Sequence, residues 1–212
     1  MEFPLLASLD EEDRRRVLST ARRRRFANGE VIVREGDPGD TFHLIAKGRV
    51  AVRVNTPGGS VALVNVHGPG GAFGEQALLD PLALRTATIT ALETTETLGL
   101  SRAAFDQLRR EHPAVDRLLV DVLAREVRRP TNRLAEALYD SAEKRVMRRL
   151  LDLTEIYDGM VPLTQDNVAS MAGTTRPTAN GVLQVLVADG ILKLGRGRFE
   201  VIDRAALANR AR

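Results

Sequence analysis

Cysteine and tryptophan are absent from the 212-residue chain, and aromatic residues make up only 4% of it. Without cysteine the chain can form neither a disulfide framework nor a thiolate-held iron-sulfur cluster, and it has no thiol nucleophile. The histidines, His43, His67 and His112, lie far apart with no paired carboxylates at ligand spacing. We therefore expect structural or surface histidines and no metal site.

Long apolar runs are also missing. No stretch of about eighteen apolar residues occurs, and the first residues lack a basic segment ahead of an apolar one. We therefore expect a cytoplasmic protein with no membrane partner. Because no GxxxxGK[ST] loop, nucleophile elbow or HExxH motif is present, we expect no catalytic residue and no enzymatic activity.

The chain has 43% hydrophobic and 28% charged residues. This composition is typical of a globular protein with one large or two small domains. The formal net charge is only +3, but a pI of about 9.8 makes polyanions candidate partners. The arginine run from Arg22 to Arg25 could touch phosphate, but we expect it to form the solvated end of a helix.

Residues 29–100 have the pattern of strands and turns. Short β-branched or alternating runs are separated by Gly/Pro-rich turns at 36–40, 56–59 and 68–71. This regular spacing predicts a small antiparallel barrel or sandwich. One or two short amphipathic helices precede it, with Asp10 as a candidate cap.

After Ser101 the apolar period becomes helical, with a short helix at 102–110 and a much longer one opened by Pro113. A seven-residue register along the long helix predicts a two-chain seam. The alternative is a helix packed on its own domain. The seam residues are Val120, Leu123, Val127, Pro130 and Leu134. A hinge at 139–142 then leads into a second, helical domain.

A pair of helices joined by a glycine-containing turn is predicted within 164–188. Thr164 caps the first helix and Thr175 the second, which is the pattern of a helix-turn-helix. Pro177 is compatible because the first helical turn has no internal use for its N–H. The outward face of the second helix carries side chains able to meet base edges in the major groove, namely Arg176, Thr178, Asn180 and Gln184.

A hairpin with a basic tip follows, formed by apolar runs on either side of Gly195-Arg196-Gly197-Arg198. Such a wing suits phosphate contact. An ordinary helical hairpin with a surface loop is the alternative. The DNA-binding residues expected are Thr164, Thr175, Arg176, Pro177, Thr178, Asn180, Gln184, Arg196 and Arg198.

Several spaced motifs together resemble the family of the cyclic AMP receptor protein and the fumarate-nitrate reduction regulator. They cover nearly the whole chain and are residues 36–40, 68–75, Arg85-Thr86-Ala87, Leu134-Ala135-Glu136, Arg145 and Gly173-Thr174-Thr175-Arg176. The resemblance implies an α+β chain with an N-terminal antiparallel β-roll, a cyclic-nucleotide-binding-like jelly roll, as sensor domain at 1–112. A long dimerisation helix at 113–138 and a winged helix-turn-helix DNA-binding domain at 139–212 would follow.

In function, the resemblance implies a homodimeric transcription regulator that works with RNA polymerase. Dimers of this form place two reading helices about one DNA turn apart, roughly 34 to 36 Å, and so bind near-palindromic double-stranded DNA. The other class of function compatible with the sequence is a nucleotide-binding regulatory module that acts through protein partners.

The resemblance also gives a role to FGEQALLDPLALRTAT, residues 73–88. It implies that Glu75 accepts the ribose 2'-hydroxyl, Arg85 pairs with a cyclic phosphate and Thr86 adds a hydroxyl. The short helix after Gly74, with Gln76 and Ala77, would offer N–H groups, since a helix N-terminus and an arginine fork both favour phosphate. The implied effector is a cyclic nucleotide, cyclic AMP first, and no resident cofactor is expected.

Two places depart from the family pattern. Pro130 and Thr131 stand where cyclic AMP binders have a polar pair that contacts the adenine, so Thr131 is the expected base contact. The alternative is that residues 73–88, the predicted phosphate-binding cassette, bind another ligand or are retained for structure. In the reading helix, Pro177 and Gly181 stand where relatives that read TGTGA half-sites have an acidic and a basic residue. This change predicts an altered half-site in which Arg176 still reads a guanine.

Overall fold

The computed structural model describes residues 3–80 and 82–211, apart from the side chains of Glu126 and Arg129. Its α-helices are α1 (Glu11–Thr20), α2 (Gln76–Leu79), α3 (Arg102–Glu111), α4 (Asp116–Tyr139), α5 (Ala142–Ile156), α6 (Gln165–Met171), α7 (Arg176–Ala188) and α8 (Arg204–Arg210). Its strands are β1 (Arg22–Phe26), β2 (Val31–Val33), β3 (Thr41–Lys47), β4 (Val50–Asn55), β5 (Val61–His67), β6 (Ala72–Phe73), β7 (Thr88–Ala91), β8 (Thr95–Ser101), β9 (Met160–Val161), β10 (Leu192–Gly195) and β11 (Arg198–Val201).

The chain divides into two compact units, Met1–Val54 with His67–Arg129, and Asn55–Val66 with Pro130–Arg212. Two four-stranded sheets, with strand orders β1-β8-β3-β6 and β2-β7-β4-β5, make up the β-roll. Neighbouring strands run antiparallel, as in the β3–β8 ladder that pairs His43 with Gly99. The predicted antiparallel β-roll is confirmed.

The alternation of side chains along β3 separates two cores in the first unit. Phe42 and Leu44 pack into a cluster with side chains of the helices, among them Val17, Phe105 and Leu118. Ile45, which points to the opposite face, joins the cluster inside the roll with Val50, Phe73 and Ile89. Thus one strand both closes the roll and anchors the helices around it.

The prediction that the arginine run ends a helix is wrong. Helix α1 ends at Thr20, and Arg22 to Arg25 form the exposed part of edge strand β1. The strand pairs with β8 from Arg22 opposite Gly99 to Phe26 opposite Thr95. Four identical residues show no alternation of polarity, so only the partner strand determines the conformation. Charged side chains on an edge strand also discourage pairing with another chain.

The second unit has the predicted pair of capped helices and hairpin. The buried core includes Leu150 and Leu153 of α5 together with Leu183 and Leu186 of α7. The wing is a three-stranded sheet of order β10-β11-β9. The sequence predictions include neither strand β9 nor helix α8. A two-residue strand such as β9 carries no periodic signal of its own. Within residues 3–80 and 82–211, no helix is long and apolar enough to cross a bilayer.

Candidate functional site

The guanidinium of Arg85 lies against two glycines of the first unit. Its Nη2 donates a hydrogen bond to the Thr41 carbonyl at 2.8 Å. A Cβ on Gly74 would clash with Nη1 of Arg85 and lie 2.9 Å from the Thr41 carbonyl, while one on Gly39 would lie 2.9 Å from Nε. Gly74 also has a φ of +77°, which favours glycine. Backbone therefore encloses Arg85 on more than one side.

Hydrogen bonds join the turn at 36–40 to the segment that carries Arg85. The Arg85 N–H donates to the Asp37 carbonyl at 2.8 Å, and the Gly36 N–H donates to the Arg85 carbonyl at 2.8 Å. The Gly39 N–H donates to the Ala83 carbonyl at 3.0 Å. Two motifs that are well separated in the sequence thus form one site, and Asp40 belongs to it.

The charges around Arg85 are mixed. Burial lowers the pKa of Arg85, and the nearby carboxylates of Asp40 and Glu75 oppose that shift. An arginine stays protonated in proteins, so the site presents a cation flanked by two carboxylates. Glu75 and Arg85 therefore lie within electrostatic range of each other.

The remaining predicted cassette residues differ in their placement. Gly74, Glu75 and Gln76 are half-buried, Ala77 is buried, and Thr86 is exposed. The Ala77 N–H donates to the Gly74 carbonyl at 3.1 Å, so an incoming phosphate would have to replace that bond. Thr131 lies on an exposed part of α4 that belongs to the second unit.

A cavity of about 190 Å³ lies beside Arg85 and is also lined by Arg24, Asp40 and His43. The His43 ring stacks on Phe73 at 4.8 Å between ring centroids. Its Nδ1 lies 3.1 Å from the Thr97 hydroxyl. Burial, assisted by the charges of Arg85 and Arg24, lowers the pKa of His43 from 6.5 to about 3. The imidazole is therefore neutral at physiological pH.

Helix α4 carries two apolar faces. Leu118 and Val122 are buried in the core of the first unit. The residues of the predicted seam are exposed instead, at 49% to 66% for the four aliphatic ones, and the helix continues through Pro130. These exposed residues are Val120, Leu123, Val127, Pro130 and Leu134.

The predicted reading helix is α7, and its caps form as the sequence indicated. Thr164 and Asn167 make a reciprocal capping box at the start of α6. The Thr175 hydroxyl accepts the N–H of Thr178 at 3.4 Å and lies 2.9 Å from its hydroxyl. Because the Thr164 and Thr175 hydroxyls hold the helix ends, their first role is to position the two helices.

The outward face of α7 is accessible. Arg176, Pro177, Thr178 and Gln184 are exposed, and Asn180 is half-buried with its Oδ1 3.5 Å from Nε2 of Gln184. The opposite face buries Ala179, Leu183 and Leu186. In the wing, Arg196 lies in the turn between β10 and β11, Arg198 begins β11, and both are exposed. The side chains predicted to contact DNA are therefore exposed in this unit, apart from the half-buried Asn180.

Arginines of α5 hold the turn of the helix-turn-helix to the end of α4. Arg145 donates to the carbonyls of Asp140 at 2.7 Å, Ala172 at 2.9 Å and Gly173 at 3.3 Å. Arg149, which is 6% exposed, pairs with Glu136 of α4 at 2.6 Å between Nη2 and Oε2. The orientation of α7 therefore depends on these charged contacts as well as on the apolar core.

Comparison with known proteins agrees with this architecture. Residues 23–112 match the model of the cyclic nucleotide-binding domain, and residues 144–210 match the Crp-like helix-turn-helix domain. The cyclic AMP receptor protein of Thermus thermophilus is 36% identical over 96% of this chain and 94% of its own length. The chain belongs to the cyclic AMP receptor protein family.

Two further relatives support the assignment to the cyclic AMP receptor protein family. The CRP-like cAMP-activated global transcriptional regulator of Mycobacterium tuberculosis is 30% identical over 88% of this chain and 87% of its own length. The crystal structure of the Thermus thermophilus catabolite activator protein matches with a TM-score of 0.58 at 34% identity, covering 98% of both chains. The chain is thus a transcription regulator with a cyclic-nucleotide-binding-type domain and a DNA-binding helix-turn-helix, and it is not an enzyme.

Sequence reasoning missed several residues that shape the sites of this family member. Arg85 is surrounded by Gly39, Asp40 and Thr41. The sequence predicts the turn at 36–40 but does not indicate that this turn contacts Arg85. Asp166 of α6, 3.4 Å from Arg176, was also missed. No periodic signal marks such residues, because their importance comes from contacts between distant segments.

Proposed function

We propose that this regulator is a homodimer that binds near-palindromic DNA. A cyclic nucleotide bound at the cassette around Arg85 gates it, and cyclic AMP is the first candidate. The observation that carries the proposal is the position of Arg85 against Gly39 and Gly74, within electrostatic range of Glu75. A fixed guanidinium favours a phosphate, and a carboxylate accepts hydrogen bonds from a ribose hydroxyl. The cyclic AMP named in the two curated relatives supports that nucleotide as the first candidate.

Gating requires that the ligand bind one arrangement of the dimer more tightly than another. Helix α4 is suited to transmit such a change, because its residues belong to both the first and the second unit and because it exposes an apolar face for a second copy. A nucleotide at the cassette, with Thr131 as the base contact, would shift the paired helices and thereby the spacing of the two reading helices. RNA polymerase is the further partner that the proposal implies.

The effector is tested by calorimetric titration of the full-length protein with cyclic AMP, cyclic GMP and cyclic di-GMP. We expect cyclic AMP to bind, and Arg85→Ala to weaken its affinity by about tenfold or more, because a charge-assisted contact is lost. Arg25→Ala is the matched control, since it removes an exposed arginine of β1 in the same unit. Equal affinity of the Arg85→Ala variant and the wild type for cyclic AMP would refute the cassette assignment.

A second candidate is a regulator whose cassette takes another ligand or is active without one. The observation in its favour is Pro130, which places a ring without hydrogen-bonding groups in α4 where cyclic AMP binders carry a polar residue. The same titration decides between the two, because this candidate predicts no cyclic AMP binding by the wild type. If no duplex DNA binds with or without nucleotides, a regulatory module for protein partners becomes the better description.

The DNA site is tested by selection from a random duplex library. We expect a near-palindrome in which Arg176 reads a guanine, with a half-site that differs from TGTGA. Arg196→Ala should weaken binding to all sequences and reduce the slope of log affinity against log salt by about 0.9, the contribution of one phosphate contact. Arg176→Ala should instead relax the preference at one base pair. Recovery of a plain TGTGA palindrome would contradict the altered half-site.

A further inference from the structure

The side chain proposed to read guanine is paired with a carboxylate on the preceding helix. Asp166 of α6 places its Oδ1 3.4 Å from Nε of Arg176, the first residue of α7. The contact uses Nε, which leaves both terminal nitrogens of the guanidinium for the O6 and N7 of a guanine. Asp166 therefore occupies a position from which it can orient Arg176 without competing for those nitrogens.

The backbone that carries Asp166 is well fixed. Asp166 lies between Thr164 and Asn167, whose reciprocal hydrogen bonds form the capping box of α6. Behind them, Val168 and Ala169 of α6 are buried, as is Ala179 of α7. A carboxylate held on a rigid element loses little further freedom when it positions a partner.

The helix dipoles of α6 and α7 also favour the pairing of Asp166 with Arg176. A carboxylate in the first turn of α6 is favoured by the helix dipole, whereas a cation in the first turn of α7 is disfavoured. The first turn of α7 contains no acidic residue, so Asp166 supplies the negative charge that Arg176 lacks within its own helix.

We propose that Asp166 is a positioning residue that determines how strictly Arg176 reads guanine. The proposal rests on the proposed function, because it assumes that Arg176 contacts a base. Asp166 holds the guanidinium in the orientation needed for a bidentate contact, and this orientation determines the discrimination between sequences. Its negative charge near the DNA phosphates opposes binding to every duplex alike and does not change that discrimination.

The test uses the full chain and a duplex selected by the wild type. The measured quantity is the ratio of affinities for this duplex and for the same duplex with the Arg176-dependent guanine replaced. Asp166→Asn should lower this ratio about two- to fivefold, the range for an exposed ion pair. Affinity for unrelated duplex DNA should stay the same or rise, because a negative charge is removed.

Asp189→Asn is the matched control. It removes the same charge and breaks an exposed ion pair of the same unit, between Asp189 and Arg210 at 2.6 Å, and it should leave the ratio unchanged. In an Arg176→Ala background, Asp166→Asn should have no further effect on the ratio. Thermal unfolding of each variant checks that the fold is retained.

An unchanged or increased ratio in Asp166→Asn, with Arg176→Ala still abolishing discrimination, would overturn the role of Asp166 and leave the guanine readout intact. An equal decrease in Asp189→Asn would likewise overturn it, since the effect would then be one of overall charge. If Arg176→Ala keeps the wild-type ratio, the proposed guanine readout itself fails and the role of Asp166 fails with it.

Discussion

The guanidinium of Arg85 lies so close to Gly74 that no other residue at position 74 leaves it in place. A Cβ there would clash with Nη1 and lie 2.9 Å from the Thr41 carbonyl, and the φ of +77° independently favours glycine. Glycine at this position thus sets the location of the arginine to which we assign the phosphate of the cyclic nucleotide.

The first prediction concerns Gly74→Ala. We expect it to lower the free energy of unfolding by about 1 to 2 kcal/mol through backbone strain, and to weaken cyclic AMP affinity by about tenfold because Arg85 must move. Gly29→Ala is the control, since Gly29 has a φ of +81° and open space around its Cβ position. It should show the stability loss alone, as measured by thermal unfolding and calorimetric titration. Equal loss of affinity in both variants would disprove the steric argument.

The second prediction concerns acid stability. The pKa of His43 falls from 6.5 in the unfolded chain to about 3 in the folded one, so between these two pH values the unfolded chain binds this proton and the folded chain does not. The contribution of the neutral imidazole to the free energy of unfolding is complete above pH 6.5 and declines as the pH falls toward 3. Between pH 7 and 5 the loss is roughly 2 kcal/mol.

The measurement is urea unfolding of the wild type and of His43→Gln at both pH values. The variant should lose less stability on acidification, by about the amount assigned to His43. His112→Gln, which removes a histidine at the end of α3, is the control for the loss of a histidine as such. Parallel pH profiles for wild type and His43→Gln would refute the assignment.

The third prediction concerns the ion pairs between α4 and α5. Glu136→Ala removes the nearer of the two carboxylates that pair with the buried Arg149, leaving Asp152 at 2.8 Å, and should lower the free energy of unfolding by about 1 to 3 kcal/mol. Glu155→Ala breaks the exposed pair with Arg204, at 3.0 Å, and should cost less than about 1 kcal/mol. Chemical denaturation measures both, and a larger loss for Glu155→Ala would contradict the burial argument.

The fourth prediction concerns the exposed face of α4. Val127→Glu should convert the proposed dimer to a monomer, because two like charges would meet across the seam. Sedimentation velocity should then show one chain, and affinity for a palindromic duplex should fall to that for a half-site. Ile202→Glu, at a similarly exposed apolar residue of the second unit, should leave the dimer intact. A Val127→Glu dimer would place the interface elsewhere.

Much of the architecture could be read from local patterns. Thr164 and Thr175 cap the two helices as predicted, since a cap depends on residues three positions apart. The longer strands from β2 onward also lie where alternation and Gly/Pro turns put them, whereas the two-residue strands β6 and β9 were not predicted. The arginine run was misjudged because its conformation depends on the partner strand β8, which contributes nothing to the local pattern.

The sequence by itself determined the order of elements, the place of the helix predicted to read DNA and the residue types of the predicted cassette. It could do so because periodicity, capping and turn chemistry act over a few neighbouring residues. Only the tertiary structure decided that Gly39 and Thr41 enclose Arg85, that His43 is buried and neutral, and that Asp166 pairs with Arg176. These relationships join residues from separate segments, and their energies come from burial and distance, which exist only once the chain has folded.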